Sequence, residues 1–159
     1  MEHLVNHGEN PIDGVVLQTL KVIEDERGAV MHMLRADSPL FNRFGEIYFS
    51  EVKLGIVKAW KRHRRMTQHF AVPTGRIRFA LYDDRNGSPT QGNLSEIELG
   101  RPDAYRLLII PPGVWYGFMG LADRPSVVAN CADLPHDPHE SENCEPDSAL
   151  IPYDWNRRG

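Results

Sequence analysis

The chain has 159 residues and a mass of 18.1 kDa, enough for one domain over 1–159 that buries a sizeable core without metal or disulfide staples. Lys and Arg total 18 against 22 Asp and Glu, and the formal charge of -4 sets up a field that repels nucleic acid and anionic membrane. Hydrophobic residues at 41% and charged residues at 25% are globular values that exclude disorder and collagen. No apolar run approaches the roughly 18 residues that a membrane span needs. The polar, acidic opening stretch from Met1 to Gly14 differs from a secretory leader, which is basic and then apolar. A cytoplasmic protein with two free thiols, Cys131 and Cys144, is expected.

The 13 glycines and 12 prolines fall between short apolar runs, so turn signals come too often for a helical bundle. In chain order, strands are predicted over 14–23, 29–34, 45–54, 56–60, 69–72, 76–82, 96–99, 105–110, 114–119 and 126–131. The clearest is 76–82, where Ile77, Phe79 and Leu81 alternate with other residues at the two-residue period of a half-buried strand. Loops rich in Gly, Pro, Asn and Asp separate these runs, and 134–145 reads as a polar surface loop. Many short strands with no intervening helices predict an all-β antiparallel sandwich, barrel or jelly roll.

Residues two apart on a barrel strand can both point into the cavity at its mouth, and Lys61 and His63 have that spacing. They follow Gly55, as a histidine pair follows a glycine in the cupin superfamily, which the sequence resembles. The second cupin motif, Pro-x-Gly-x-x-His, is similar to Pro112-Gly113-Val114-Trp115-Tyr116, with Tyr116 in the histidine's place. An ammonium has no lone pair for a metal and a neutral phenol is a poor ligand, so no metal site is expected.

Within the cupins the chain resembles the dTDP-4-dehydrorhamnose 3,5-epimerase family more closely. The resemblance rests on Asp25-Glu26-Arg27-Gly28, on the run from Asp84 to Thr90, on Ile109-Ile110-Pro111-Pro112-Gly113 with Gly117-Phe118, and on Ile151-Pro152-Tyr153-Asp154-Trp155, in the family's order. It implies a metal-free, cofactor-free cupin jelly roll and a nucleotide-linked 4-keto-6-deoxy sugar as substrate, in glycan biosynthesis. It also implies a homodimer in which strands of one subunit help wall the other's site.

The C4 ketone of such a sugar acidifies the protons on C3 and C5. A base removes one, a cation or donor holds the enolate oxygen, and an acid on the opposite face returns the proton with inversion. The family form Arg-Gly-x-His-x-Gln aligns with Lys58-Ala59-Trp60-Lys61-Arg62-His63. Lys58 thus replaces a phosphate-binding arginine, Lys61 the family's base and His63 a glutamine. His63 is the first choice of base, because an imidazole of ordinary pKa about 6.5 suits proton abstraction near neutrality, with Lys61 holding the C4 oxygen. Alternatively Lys61 is the base, which demands a lowered pKa. Solvated loop positions for both residues are the bland alternative.

The family's acid is a tyrosine in a segment ending Tyr-x-Pro-x-x-Glu. The comparable stretch from Asn130 to Pro138 has none, so Tyr116, His136 and Asp133 are the candidates. Asp147 corresponds to the family's carboxylate on the catalytic histidine, and Gln68 to a family lysine. Arg27, Lys58, Gln68, Trp115 and His136 are the expected substrate contacts, with core packing the alternative for Trp115. The basic run of Lys58, Lys61, Arg62, Arg64 and Arg65 reads either as a diphosphate grip or as a solvated face. A non-catalytic sugar-nucleotide binder and a keto-isomerase are the rival functions. A metal-dependent cupin lacks convergent ligands in both motifs.

Overall fold

The computed structural model describes residues 11–157, so most of the polar opening stretch, 1–10, lies outside it. The strands are β1 Val16–Thr19, β2 Val22–Asp25, β3 Gly28–Met31, β4 Glu46–Val52, β5 Val57–His63, β6 Gln68–Thr74, β7 Arg76–Asp83, β8 Leu94–Gly100, β9 Arg106–Ile110, β10 Val114–Gly120, β11 Ser126–Ala132 and β12 Ser141–Asn143. The described residues form no helix, and therefore none long and apolar enough to cross a membrane. Two five-stranded sheets, ordered β1-β9-β6-β11-β4 and β12-β5-β10-β7-β8, make the antiparallel jelly roll, and β2 and β3 pair as a separate hairpin.

Alternation builds the core between the sheets. Ile77, Phe79 and Leu81 of β7 are fully buried, as the two-residue period predicts. They meet Phe70 of β6 and Phe118 of β10, with the Phe79 ring centroid 5.2 Å from each of those rings. Each buried phenyl contributes about 1.5–3 kcal/mol of apolar burial. Ala80, on the opposite face of β7, is also fully buried, because the C-terminal segment covers that face. There Trp60, Trp115, Ile151 and Trp155 form a second, outer core, with the Trp60 and Trp155 rings 5.1 Å apart.

Strand ends shift by up to three residues, and two predicted segments change more. The run 14–23 splits, because the β1–β9 ladder ends at Thr19 opposite Arg106 and the backbone then turns away to pair as β2 with β3. The predicted loop 134–145 contains β12, whose Ser141 pairs with His63 and whose Asn143 pairs with Lys61, so β5 runs on to His63. An edge strand needs backbone groups rather than apolar side chains, and polarity alone does not reveal it. Cys131 and Cys144 are free.

The loop after β7 is organised by Asp83, whose side chain is fully buried. Its carboxylate accepts the Arg85 backbone N–H at 3.0 Å, Arg85 Nε at 2.8 Å, and the Ser88 and Thr90 hydroxyls at 2.7 Å each. Burial alone would raise its pKa, but these donors together hold it far below the usual carboxylate range. Asp83→Ala removes the acceptor of Arg85 Nε and of two hydroxyls while the guanidinium keeps the Asp13 carbonyl, and is expected to cost about 1–3 kcal/mol, read as a lower midpoint in urea unfolding. The wild-type contribution is complete above the unfolded carboxylate pKa and is lost as pH falls through the depressed folded value. The variant's deficit therefore shrinks in acid.

Candidate active site

The site grows from an irregularity in β5. Opposed residues of an antiparallel ladder share a face. Tyr116 of β10 opposes Lys61, whereas Phe118, two residues on, opposes Lys58, three residues back. The extra residue is a β-bulge, and it brings Lys58 and Lys61 to the same inward face despite a spacing that simple alternation would put on opposite faces. Gly117 makes room for it, since a Cβ there would come within 2.4 Å of the Ala59 Cβ and 2.9 Å of the Trp155 ring.

Lys58 and Lys61 open onto a cavity of about 470 Å³, whose other walls include Tyr116, Phe70, Asn130 and Tyr48. That volume suits a small-molecule ligand. A second hollow of about 380 Å³ shares Lys61 and Tyr48 with the first and adds His63, Met66, Glu46 and His136. Tyr48 and Asn130 oppose one another across β4 and β11, so the second sheet supplies the wall that faces β5 and β10.

His63 lies between Glu140 and Tyr116. Its Nδ1 is 2.6 Å from Glu140 Oε1, and its Nε2 is 3.0 Å from the Tyr116 hydroxyl. Glu140 Oε2 accepts the backbone N–H groups of Arg65 at 2.7 Å and Met66 at 2.9 Å. A carboxylate only accepts, so Nδ1 carries the imidazole proton, and the neutral Nε2 accepts from Tyr116. Burial pushes the His63 pKa down, and the Glu140 carboxylate only partly offsets that. For Glu140, burial pushes up but is outweighed by the Arg65 and Met66 N–H groups and by His63, which hold it below its ordinary value. Burial raises the Tyr116 phenol well above 10, with Tyr48 and Glu140 adding to the rise. The resting chain is thus an ionised carboxylate, a neutral imidazole and the neutral phenol of Tyr116, a residue that lines the larger cavity.

The expected site residues divide accordingly. Lys61, Tyr116 and Lys58 line the larger cavity, where Lys58 Nζ donates to the Glu51 carbonyl at 2.8 Å. His63 and His136 line the adjoining hollow. Asp147 is exposed and lies against the C-terminal segment beside Tyr153 and Trp155, and the carboxylate on His63 is Glu140 instead. The strand β12 explains the difference, because pairing with β5 swings residue 140 onto His63 and carries residue 147 past it.

Gln68 is buried behind the wall, accepting from Asn130 through Oε1, rather than at the cavity surface. Trp115 belongs to the outer core, its Nε1 donating to Asp84 at 3.0 Å and Arg62 lying 4.5 Å over its ring. Asp133 accepts from the Thr67 backbone and from Asn42, holding the β6 entrance and the 42–43 segment together. The basic run also splits. Arg62 pairs with Asp84 at 2.7 Å and Glu142 at 2.6 Å, and Arg64 with Glu142 at 2.7 Å, leaving the two lysines on the cavity side. Arg27 stands at the exposed turn of the β2–β3 hairpin, paired with Asp25.

Glu140, Tyr48 and Asn130 are not among the expected catalytic or substrate-binding residues. Glu140 did carry a signal, since the family form ends on a glutamate and this is the first glutamate after Leu134. Tyr48 and Asn130 carried none, because their importance comes from the pairing of β4 with β11.

Fold and site define a cupin-type jelly roll whose cavity is lined by ammonium and phenol groups, and the described residues contain no cluster of three His, Cys, Asp or Glu placed to hold a metal. The dTDP-4-dehydrorhamnose 3,5-epimerase family profile matches residues 9–158, and the chain belongs to this family of isomerases. It is 36% identical over 145 residues to a probable low-salt glycan biosynthesis epimerase of Haloferax volcanii, covering 90% of this chain and 89% of that protein. It is 32% identical over 143 residues to the spore coat polysaccharide biosynthesis protein SpsL of Bacillus subtilis, covering 90% and 91%. The crystal structure of a dTDP sugar isomerase from Desulfovibrio desulfuricans superposes with a TM-score of 0.90 at 57% identity, over 91% of this chain and 92% of that one.

Proposed function

We propose that this protein is an epimerase that inverts C3, C5 or both in a nucleotide-linked 4-keto-6-deoxy sugar through an enolate, in the cytoplasm and in the service of glycan assembly. The observation that carries the reading is the meeting of Lys61 with the Tyr116–His63–Glu140 chain at one cavity. Lys61 takes the C4 oxygen as charge develops on it. The proton leaves the sugar carbon toward the Tyr116 oxygen as the phenol's own hydrogen passes to His63 Nε2, and the Glu140 carboxylate stabilises the imidazolium that results. No cofactor enters this scheme. Lys58 and the exposed Arg65 offer charge for the diphosphate, and His136 offers a further hydrogen bond.

The protein works as a homodimer. Phe44 at 64%, Ile47 at 51% and Phe49 at 66% exposure are large apolar side chains on and beside the edge strand β4, where a second copy would cover them. The protruding β2–β3 hairpin would then carry Arg27 toward the partner's site. The reading is tested with dTDP-4-keto-6-deoxyglucose in deuterated water, followed by proton NMR. Loss of the C3 or C5 signal faster than in the protein-free control is the expected result. A substrate that binds with neither signal changing would make the chain a sugar-nucleotide binder.

A further inference from the structure

The chain lacks a tyrosine at the family's acid position, yet inversion requires a proton donor on the wall opposite Tyr116 and Lys61. Among the described residues of that wall, Tyr48 of β4 carries a hydroxyl and lines the cavity. Its hydrogen-bond geometry is determined by the residues behind it. The His69 backbone N–H can only donate, and it donates to Asn130 Oδ1 at 3.1 Å, which fixes the orientation of the amide. Asn130 Nδ2 therefore faces outward with two hydrogens. One goes to Gln68 Oε1 and the other to the Tyr48 oxygen at 2.9 Å. Neither Asn130 nor Gln68 is more than 1% exposed, so the clamp is shielded from water. With Asn130 donating to it, the Tyr48 oxygen is an acceptor there, and the phenol's own hydrogen is free to point elsewhere. Tyr48 borders both hollows, through which water can reach it to replace a spent proton.

We infer that Tyr48, oriented by the Asn130–Gln68 clamp, is the acid that returns the proton to the sugar carbon from the face opposite Tyr116. The assignment rests on the epimerase reading above and adds its second half. In the step, the enolate oxygen reforms the C4 carbonyl, and the carbon–carbon π pair takes the Tyr48 hydrogen as a new C–H bond. The O–H bond breaks to leave a phenolate. The Asn130 Nδ2 hydrogen bond holds that phenolate until solvent reprotonates it, while the proton on His63 is lost to solvent, so that charge and protons balance over the cycle. Burial raises the Tyr48 pKa, opposed by the Asn130 hydrogen bond and aided by Glu46, which keeps the phenol loaded with its proton near neutrality.

The test is Tyr48→Phe, a substitution at a partly exposed edge-strand site that removes one oxygen atom. Wild type and variant are incubated with dTDP-4-keto-6-deoxyglucose in deuterated water, and NMR measures deuterium incorporation separately from epimer formation. Incorporation within about tenfold of wild type, with epimer formation down at least 100-fold, is the expected result, because Tyr116 can still remove and return a proton on its own face. A purely structural role would lower both together. Epimer formation at the wild-type rate overturns the assignment, and so does loss of both signals, which would place Tyr48 in binding or in the first step. Absence of exchange in the wild type overturns the epimerase reading itself and takes this assignment with it, whereas the two variant outcomes leave that reading intact. Asn130→Leu, which removes the donor to Tyr48, is expected to reproduce the separation of exchange from inversion more weakly, and full inversion in that variant removes the clamp from the proposal.

Discussion

Lys61→Met is expected to lower kcat by about 10²- to 10³-fold for both hydrogen exchange and epimer formation, the size of effect seen when a preorganised donor to a developing oxyanion is removed. Every route through the enolate passes this oxygen, so the two signals fall together, unlike those of Tyr48→Phe. Methionine keeps the length and apolar stem of lysine, and the Lys61–Tyr116 backbone pairing does not depend on the side chain, so the thermal midpoint is expected to change little. Lys61→Arg keeps the charge but presents a planar fork in place of a compact ammonium, and an intermediate rate is expected. Single-turnover NMR in deuterated water checks the set. Exchange at the wild-type rate in Lys61→Met would remove Lys61 from the oxygen's neighbourhood.

Much of the fold is written in local patterns. The period of two in 76–82 reports β7 because one of its faces meets the inter-sheet core, and glycine and proline mark the turns. The motif from Asp84 to Thr90, one carrier of the family resemblance, is legible for a structural reason, since Ser88 and Thr90 are there to satisfy Asp83. Lys61 and Tyr116 were legible as cavity residues because strand parity and the Pro-Gly turn place them. That Glu140 rather than Asp147 meets His63 is not legible, because the decisive event, the pairing of β12 with β5, depends on backbone hydrogen bonds that polar side chains do not advertise. Lys58 reaches the cavity through a bulge that parity cannot anticipate. Trp115 shows a related ambiguity. A buried aromatic beside a motif looks the same whether its strand face meets a ligand or a second core, and here the segment ending in Trp155 decides for the core.

Replacement of His63 separates stability from chemistry. His63→Ala leaves the Tyr116 hydroxyl without its acceptor and one oxygen of the buried Glu140 without a donor. A loss of roughly 1–3 kcal/mol in unfolding free energy is expected, together with a fall of about 10²- to 10⁴-fold in kcat. Adding Glu140→Gln removes the stranded charge, so the double variant is expected to recover part of the stability and none of the activity.

The pH dependence gives an independent reading of the same group. His63 must be neutral to receive the proton, and burial places its folded pKa below the ordinary 6.5, so the midpoint of the acid limb of kcat/KM is expected below that of an ordinary histidine. Because the carboxylate favours the imidazolium, Glu140→Gln is expected to move that acid limb to still lower pH while reducing the plateau rate. The stability linkage has the matching sign. His63 and His69 are both depressed by burial, so their contribution is complete above the unfolded histidine pKa and is lost as pH falls from there through the folded values. A wild-type acid limb lying above pH 6.5, or one that Glu140→Gln moves upward, would mean that the titrating base is a group other than His63.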